Sequence, residues 1–175
     1  MLLISNHVST CNVPIPPDAV IRINVAWIET VKELNTLLEK SNNSIFLDYP
    51  VGRFKPPIPT IKLDEAVAVA NSNNVVKYFA VSNAEDPIVV GKIKAALDTG
   101  IIMVPKIETA KGVRNLEKIV LAADTNIIMV DKDDLYLDTK RDNDLFHILI
   151  RAISEKCKKN NIEMLTLRGV VFSNE

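Results

Sequence analysis

The fold is decided by the stretch Val104-Pro-Lys-Ile-Glu-Thr-Ala-Lys-Gly-Val-Arg-Asn-Leu-Glu117 and by Met129-Val-Asp-Lys-Asp-Asp-Leu135 further along the chain. Each begins as an apolar run typical of a strand and continues into charged residues. Residues two apart in a strand point to the same face, so Lys106 and Glu108 share a side. Asp134 follows the next apolar run. An amine and two carboxylates at neighbouring strand ends predict a site for a hard divalent ion and an anionic ligand.

Short β-branched apolar runs alternate with amphipathic segments through the rest of the chain. A repeated order of strand and then helix predicts parallel strands joined by right-handed crossovers. The predicted strands are 2–5, 20–25, 44–47, 75–81, 101–104, 127–130 and 163–167, and the predicted helices are 28–38, 63–70, 86–97, 112–122 and 143–159.

Two α/β architectures fit this alternation, a (β/α) barrel and an open doubly wound sheet. No Gly-x-Gly-x-x-Gly follows the first predicted strand, so the dinucleotide-binding form of the doubly wound sheet loses support. Charged residues at the C-terminal ends of several strands are typical of barrel sites. We therefore predict a TIM-type (β/α) barrel, minimal or incomplete with about seven parallel strands, as a single domain over residues 1–175.

Composition narrows the class of protein further. The chain has 175 residues, of which 47% are hydrophobic, and a formal net charge of −1, so it can bury a sizeable core as one domain. It has no long basic run, and we expect neither nucleic acid nor a membrane as its partner. Cys11 and Cys157 fit no metal-binding spacing and are expected to be reduced thiols. With no signal peptide and no membrane-spanning apolar stretch, a cytoplasmic protein is predicted.

Four segments, taken in order, resemble one known family. Ile21-Arg-Ile-Asn24 is similar to a second strand that reads Arg-Leu-Asn, and Phe46-Leu-Asp48 to a third strand that ends in Leu-Leu-Asp. Lys106-Ile-Glu-Thr109 is similar to Lys-Ile-Glu-Asn, and Ile128–Leu135 to Ile-Met-Val-Ala-Arg-Gly-Asp-Leu. These are the strands of the catalytic barrel of pyruvate kinase, a member of the phosphoenolpyruvate/pyruvate-binding barrel superfamily, which the chain resembles as a divergent form without the family's lid and C-terminal domains.

The resemblance implies roles for the charged residues. Glu108 and Asp134 match the two carboxylates that hold Mg²⁺, and the alternative is that Glu108 simply pairs with Lys106. Lys106 matches a lysine that stabilises charge on the phosphoryl group and the enolate, and the alternative is a structural lysine paired with Glu108 or Asp48. Arg22 matches an arginine that contacts the substrate phosphate with its two-pronged guanidinium.

Other matched positions depart from the family pattern. Asn24 and Asp48 match part of a monovalent-cation site, but that site also needs a serine and a threonine that this chain lacks. We therefore expect the K⁺ site to be lost and Asp48 to pair with Arg22 or Lys106. Arg168 stands in place of a threonine near the reacting carbon, where it could bind a second anionic group or pair with a site carboxylate.

Three functions stay open at this level. The first is a Mg²⁺-dependent enzyme that stabilises the enolate of pyruvate, phosphoenolpyruvate or another 2-oxo acid, since Ile107–Val113 also resembles the Ile-Glu-Thr-x-x-Gly/Ala-Val of the aldolase and citrate-lyase relatives of this barrel. The second is pyruvate kinase activity itself. The third is a catalytically degenerate homologue that binds a metabolite or serves in an assembly, favoured by Asp133 in place of a glycine. In each case we expect a small anionic metabolite as ligand, and a homo-oligomer, because an open barrel edge tends to pair with another chain.

Overall fold

A single parallel sheet runs through the protein. The computed structural model describes residues 15–52 and 56–166, together with the backbone of a short strand near the N-terminus. Its elements are β1 (Leu3–Ser5), β2 (Val20–Asn24), a 3₁₀ turn (Val25–Trp27), α1 (Val31–Glu39), β3 (Ile45–Tyr49), α2 (Leu63–Asn71), β4 (Val76–Val81), α3 (Pro87–Ala96), β5 (Ile102–Ile107), α4 (Ala110–Ala122), β6 (Ile127–Val130), α5 (Lys132–Asp138), α6 (Asn143–Lys159) and β7 (Glu163–Thr166).

The strands follow one another in sequence order across the sheet, from β1 to β7, and every ladder is parallel. A doubly wound sheet reverses its strand order at a switch point, and no reversal occurs here. The six strands β2–β7 form a curled half-barrel. The prediction of an α/β fold with an incomplete barrel is confirmed at this level.

The two faces of the sheet bury different side chains. The outer face packs against the helices in the larger apolar cluster, which includes Ile23, Leu47, Phe79, Ile107 and Ile128. The inner face carries a smaller cluster: Val20, Phe46, Ala80, Val104, Ile127, Met129 and Leu165. Both faces are apolar, so strands β3 and β6 are buried along their whole length, as parallel strands covered on both sides should be.

The inner face changes from apolar to charged toward the C-terminal strand ends. In β3, Phe46 is followed two residues later by Asp48, and in β5 Val104 is followed by Lys106. In β2, Arg22 pairs in register with Phe46 and lies on this same face. In β2, β3 and β5 the alternation of side chains therefore carries charged groups inward toward the end of the half-barrel where a site is expected.

One helix is absent from the predicted pattern. The sequence predicts no helix between the strand at 127–130 and the helix at 143–159, yet α5 occupies Lys132–Asp138. Its N-cap is Asp131, whose side chain accepts hydrogen bonds from the backbone N–H groups of Asp133 and Asp134. A helix of seven residues is too short to show a clear apolar periodicity in the sequence. Its start is marked by the N-cap Asp131 and not by an apolar face.

No helix within the described ranges is long and apolar enough to cross a membrane.

Arg168 lies outside the described residues, as does His7.

Two helical glycines predict opposite responses to alanine. A Cβ on Gly112, in the first turn of α4, would lie 2.8 Å from the backbone oxygen of Ala84, whereas a Cβ on Gly91 in α3 would meet Ala122 at an ordinary 3.8 Å. Gly91→Ala should raise the free energy of unfolding by about 0.5–1 kcal/mol, because alanine loses less backbone entropy in a helix. Gly112→Ala should lower it by about 1–3 kcal/mol through overpacking. Urea unfolding of both variants tests this, and equal shifts for the two would contradict the packing described.

Candidate active site

A cavity of about 510 Å³ opens at the C-terminal ends of the strands. Its polar lining comes from β2 and β5 and from the segments that follow β4, β5 and β6, and includes Arg22, Asn24, Ser82, Lys106, Glu108, Asp131 and Asp134. This is the end of a β/α barrel at which binding and catalytic sites are built. The cavity is also the place where the charged end of the inner face becomes accessible.

An ion-pair network forms the floor of the cavity. The Lys106 ammonium lies 2.9 Å from Glu108 Oε1 and 3.4 Å from Asp48 Oδ2. Arg22 donates to the same Asp48 oxygen from both its Nε, at 2.9 Å, and a terminal nitrogen. Lys106 also donates a hydrogen bond to Ser82 Oγ at 3.0 Å. Two cations and two carboxylates thus balance each other inside the protein, as buried charges require.

Lys106 is held as an ammonium. Its burial disfavours the charged form, but Asp48 and Glu108 more than offset this, so the pKa of Lys106 is raised above its ordinary value. A lysine that acts as an amine nucleophile needs a lowered pKa. Lys106 is therefore suited to stabilise negative charge and is unsuited to form a Schiff base.

Glu108 is the least solvated carboxylate that lines the cavity, with 3% of its surface exposed. Burial raises its pKa above the ordinary value, and the opposing effects of Lys106 and of the hydrogen bond from the Asn83 N–H offset this only in part. Asn83 N lies 2.7 Å from Glu108 Oε2. The other oxygen, Oε1, receives no hydrogen bond of acceptable geometry, although the Lys106 ammonium is close to it. Glu108 thus has coordinating capacity left toward a cation.

Three carboxylates converge at one side of the cavity. Glu108, Asp131 and Asp134 each present an oxygen within 4.8 Å of the other two. Their burial decreases in that order, from buried Glu108 through half-buried Asp131 to exposed Asp134. An all-oxygen donor set that leaves room for water and ligand oxygens is the kind that Mg²⁺ prefers. The residues present therefore fit a divalent ion.

The structure brings most of the predicted site residues together. Arg22, Asp48, Lys106 and Glu108 are joined by ion pairs, and Asp134 lies beside Glu108. Both pairings considered for Asp48, with Arg22 and with Lys106, occur at once.

Asn24, unlike the other predicted site residues, caps the turn that follows its own strand. Its side-chain oxygen accepts a hydrogen bond from Ala26 N at 3.0 Å and so caps the 3₁₀ turn after β2, while its amide group also lines the cavity. It pairs in register with Asp48, whose Oδ2 is engaged by Arg22 and Lys106. The Asp48 oxygen at the position that the resemblance implied for a monovalent cation thus contacts a guanidinium and an ammonium, and the loss of the K⁺ site stays a prediction.

Sequence reasoning missed three residues of the site. Ser82 and Asn83 follow the last residue of β4, a position that could have flagged them. Asp131 is the residue that directly follows β6. No motif marks it in the sequence, yet it is the third member of the carboxylate group. The end of β6 places Asp131 there, and α5, the helix that was not predicted, carries Asp134 in its first turn.

Comparisons with known proteins show the fold. No family model matches the chain, and no curated protein matches it. Among solved structures, macrophomate synthase superposes with a TM-score of 0.63 at 13% sequence identity, over 83% of this chain and 62% of that one. The citrate synthase SbnG superposes with a TM-score of 0.63 at 16% identity, over 87% of this chain and 68% of that one. The chain thus spans less than two thirds of macrophomate synthase and shares its fold.

The carboxylate group predicts a metal-binding phenotype. Glu108→Gln and Asp134→Asn should each weaken Mn²⁺ binding at least about tenfold, because each removes a charged ligand, as losses around metal sites commonly do. Asp131→Asn should weaken it as well, because it removes the third charged donor of the group. Titration followed by electron paramagnetic resonance measures the free ion. Glu155→Gln, at an exposed position on α6, is the control, and a comparable loss there would sink the assignment.

The raised pKa of Glu108 predicts how stability depends on pH in the metal-free protein. The pKa of Glu108 is higher in the folded chain than its unfolded value of 4.5. Its contribution to the free energy of unfolding is therefore complete below pH 4.5 and is lost as the pH rises through the folded pKa. Glu108→Gln does not titrate. Its free energy of unfolding should therefore rise relative to the wild-type chain between pH 4 and pH 7, as measured by urea unfolding in chelator. If the wild-type chain instead gained stability relative to Glu108→Gln over this range, the effect of Lys106 on the pKa of Glu108 would be larger than that of burial.

Proposed function

We propose that this protein binds a small 2-oxo acid, pyruvate or a close relative such as phosphoenolpyruvate, together with Mg²⁺, and stabilises its enolate in lyase- or aldolase-type chemistry. The observation that carries the proposal is the meeting of three carboxylates with the Lys106 ammonium around one cavity. The resemblance to the phosphoenolpyruvate/pyruvate-binding barrels points the same way. Macrophomate synthase and the citrate synthase SbnG share this fold.

The metal would be held by Glu108 and Asp134, with Asp131 as a third donor. Its chemistry there would be Lewis acidity toward the oxygens of the ligand. The Asn83 N–H contacts Oε2 of Glu108 and Lys106 contacts Oε1, so the metal would use the lone pairs that remain on these oxygens.

Lys106 supplies positive charge at the reacting centre. It is fixed by Asp48, Glu108 and the Ser82 hydroxyl, so no reorganisation is needed when negative charge develops on a ligand oxygen. Such fixed charge in a largely dry site is often the largest catalytic contribution. Arg22 lines the same cavity and can offer its remaining donors to a carboxylate of the ligand.

Lyase-type chemistry is favoured over phosphoryl transfer. Transfer from or to a nucleotide requires a clamp on the phosphates and exclusion of water. The connection from β3 to α2 spans only residues 50–62, so no lid domain is inserted there. Residual kinase activity is therefore the less favoured form of the proposal.

A second candidate is a catalytically degenerate homologue that binds a metabolite or serves in an assembly. It is favoured by the ion-pair network, because Lys106 and Arg22 already have carboxylate partners without any ligand. In that case the network stabilises the half-barrel and the cavity binds without turnover. Formation of a homo-oligomer and a cytoplasmic location stay predictions from the sequence.

Proton exchange on pyruvate tests the proposal. Enolate formation breaks a C–H bond of the methyl group, and return of a deuteron from D₂O replaces the proton, which proton NMR detects as loss of the methyl signal. We expect exchange that requires Mg²⁺ and falls about 100-fold in Lys106→Met, the scale on which loss of one stabilising group acts. Glu155→Gln should exchange like the wild-type chain.

The outcomes separate the candidates. Exchange no faster than in a Mg²⁺ solution without protein would contradict the enzymatic proposal. Saturable pyruvate or oxalate binding without exchange would identify the metabolite-binding alternative. ATP formation from ADP and phosphoenolpyruvate in a coupled assay would restore kinase chemistry.

A further inference from the structure

We propose that Asn83 is a positioning residue, and that its left-handed backbone conformation holds the Glu108 carboxylate in the orientation that binds the metal. The inference rests on the metal centre of the proposed function, and assigns a role to a loop that no motif marked. Asn83 lies in the connection between β4 and α3 and lines the cavity.

The backbone of Asn83 adopts an unusual conformation. Its φ is +50°, and it is the one cavity-lining residue among the non-glycine residues with positive φ within the described ranges. Such conformations are costly for residues with a Cβ, and asparagine is among the few that tolerate them. They persist where the surroundings over-determine the backbone, and they cluster at functional sites.

Two successive N–H groups explain why this conformation is needed. Asn83 N donates to Glu108 Oε2 at 2.7 Å, and Ala84 N donates to the backbone oxygen of Lys106 at 3.1 Å. These N–H groups belong to the peptide units on either side of the Asn83 Cα. The dihedral angles of Asn83 set the angle between those units, so a residue forced to negative φ cannot keep both contacts to the end of β5.

The side chain of Asn83 braces the same conformation from the other side. Its Nδ2 donates to the backbone oxygen of Val51 at 2.8 Å, across to the turn that follows β3. Gly52 in that turn has φ +67°, and a Cβ there would lie 3.7 Å from Asn83 Nδ2. The side chain of Asn83 therefore contacts the β3–α2 connection, while the backbone N–H groups of Asn83 and Ala84 contact the end of β5 and the residue that follows it.

The β4–α3 loop also packs against the start of α4. The backbone oxygen of Ala84 lies so near the first turn of α4 that a Cβ on Gly112 would come within 2.8 Å of it. Residues 82–84 are thus held between the β3 turn, the end of β5 and the start of α4. Glu108 depends on this arrangement because the Asn83 N–H is the one hydrogen-bond donor found for its carboxylate within the described residues, apart from its contact with Lys106.

A series at position 83 tests the role through Mn²⁺ affinity. Asn83→Gly keeps the left-handed conformation and should bind Mn²⁺ within about threefold of the wild-type chain, since glycine adopts positive φ readily. Asn83→Val should bind at least about tenfold more weakly, because a β-branched residue strongly disfavours this region. Asn83→Ala, a milder change, replaces the valine variant if that chain does not fold.

The matched control is Asn161, which has φ +52° after α6 and does not line the cavity. Asn161→Val should lose stability in urea unfolding to a similar extent as Asn83→Val, yet bind Mn²⁺ like the wild-type chain. This separates loss of fold stability from loss of Glu108 orientation.

Several results would overturn the inference. Equal Mn²⁺ affinity in Asn83→Val and the wild-type chain would do so, as would equal weakening in Asn83→Gly or in Asn161→Val. A wild-type chain that binds no Mn²⁺ would remove the metal centre and the inference together. A chain that binds Mn²⁺ with the expected series but exchanges no pyruvate protons would overturn the proposed function and leave the role of Asn83 standing.

Discussion

The Lys106 ammonium, held between Asp48 and Glu108, is the interaction on which the rest of this site depends. Removing any one member would leave a charge buried without its partner, which is among the most destabilising single changes in a protein interior. The four charges offset the cost of their own burial, because Lys106 contacts both carboxylates and Arg22 pairs with Asp48. The network also keeps the amine charged, and this limits Lys106 to electrostatic stabilisation.

The apolar part of the inner face makes that arrangement sustainable. Phe46, Ala80 and Val104 lie on adjacent strands beneath the charged groups and are fully buried. Water is excluded from the network on that side, so its electrostatic interactions are stronger than at a surface. The same dryness raises the pKa of Glu108, so the proposed metal binding would be coupled to loss of a proton from this carboxyl group.

Much of this could be predicted from the sequence, and the limits have physical causes. Alternation within strands placed Lys106 and Glu108 on one face, and apolar runs located the strands, because both depend on local periodicity. The ends of β3 and β5 were predicted too short, since Asp48 and Lys106 interrupt the apolar runs there. The left-handed conformation of Asn83 could not be predicted, because the contacts that hold it come from Glu108, Val51 and Lys106, which are distant in sequence. Arg168 lies beyond the described residues, and its role stays a prediction.

The sequential order of the strands has a consequence for the emergence of the chain from the ribosome. Each strand pairs with the one made just before it, so the sheet can grow one unit at a time. Arg22 and Asp48 lie on adjacent strands and can neutralise each other before β5 exists, whereas Lys106 and Glu108 arrive together on a single strand. The charges of this network therefore each have an oppositely charged partner by the time the strands that carry them have been made.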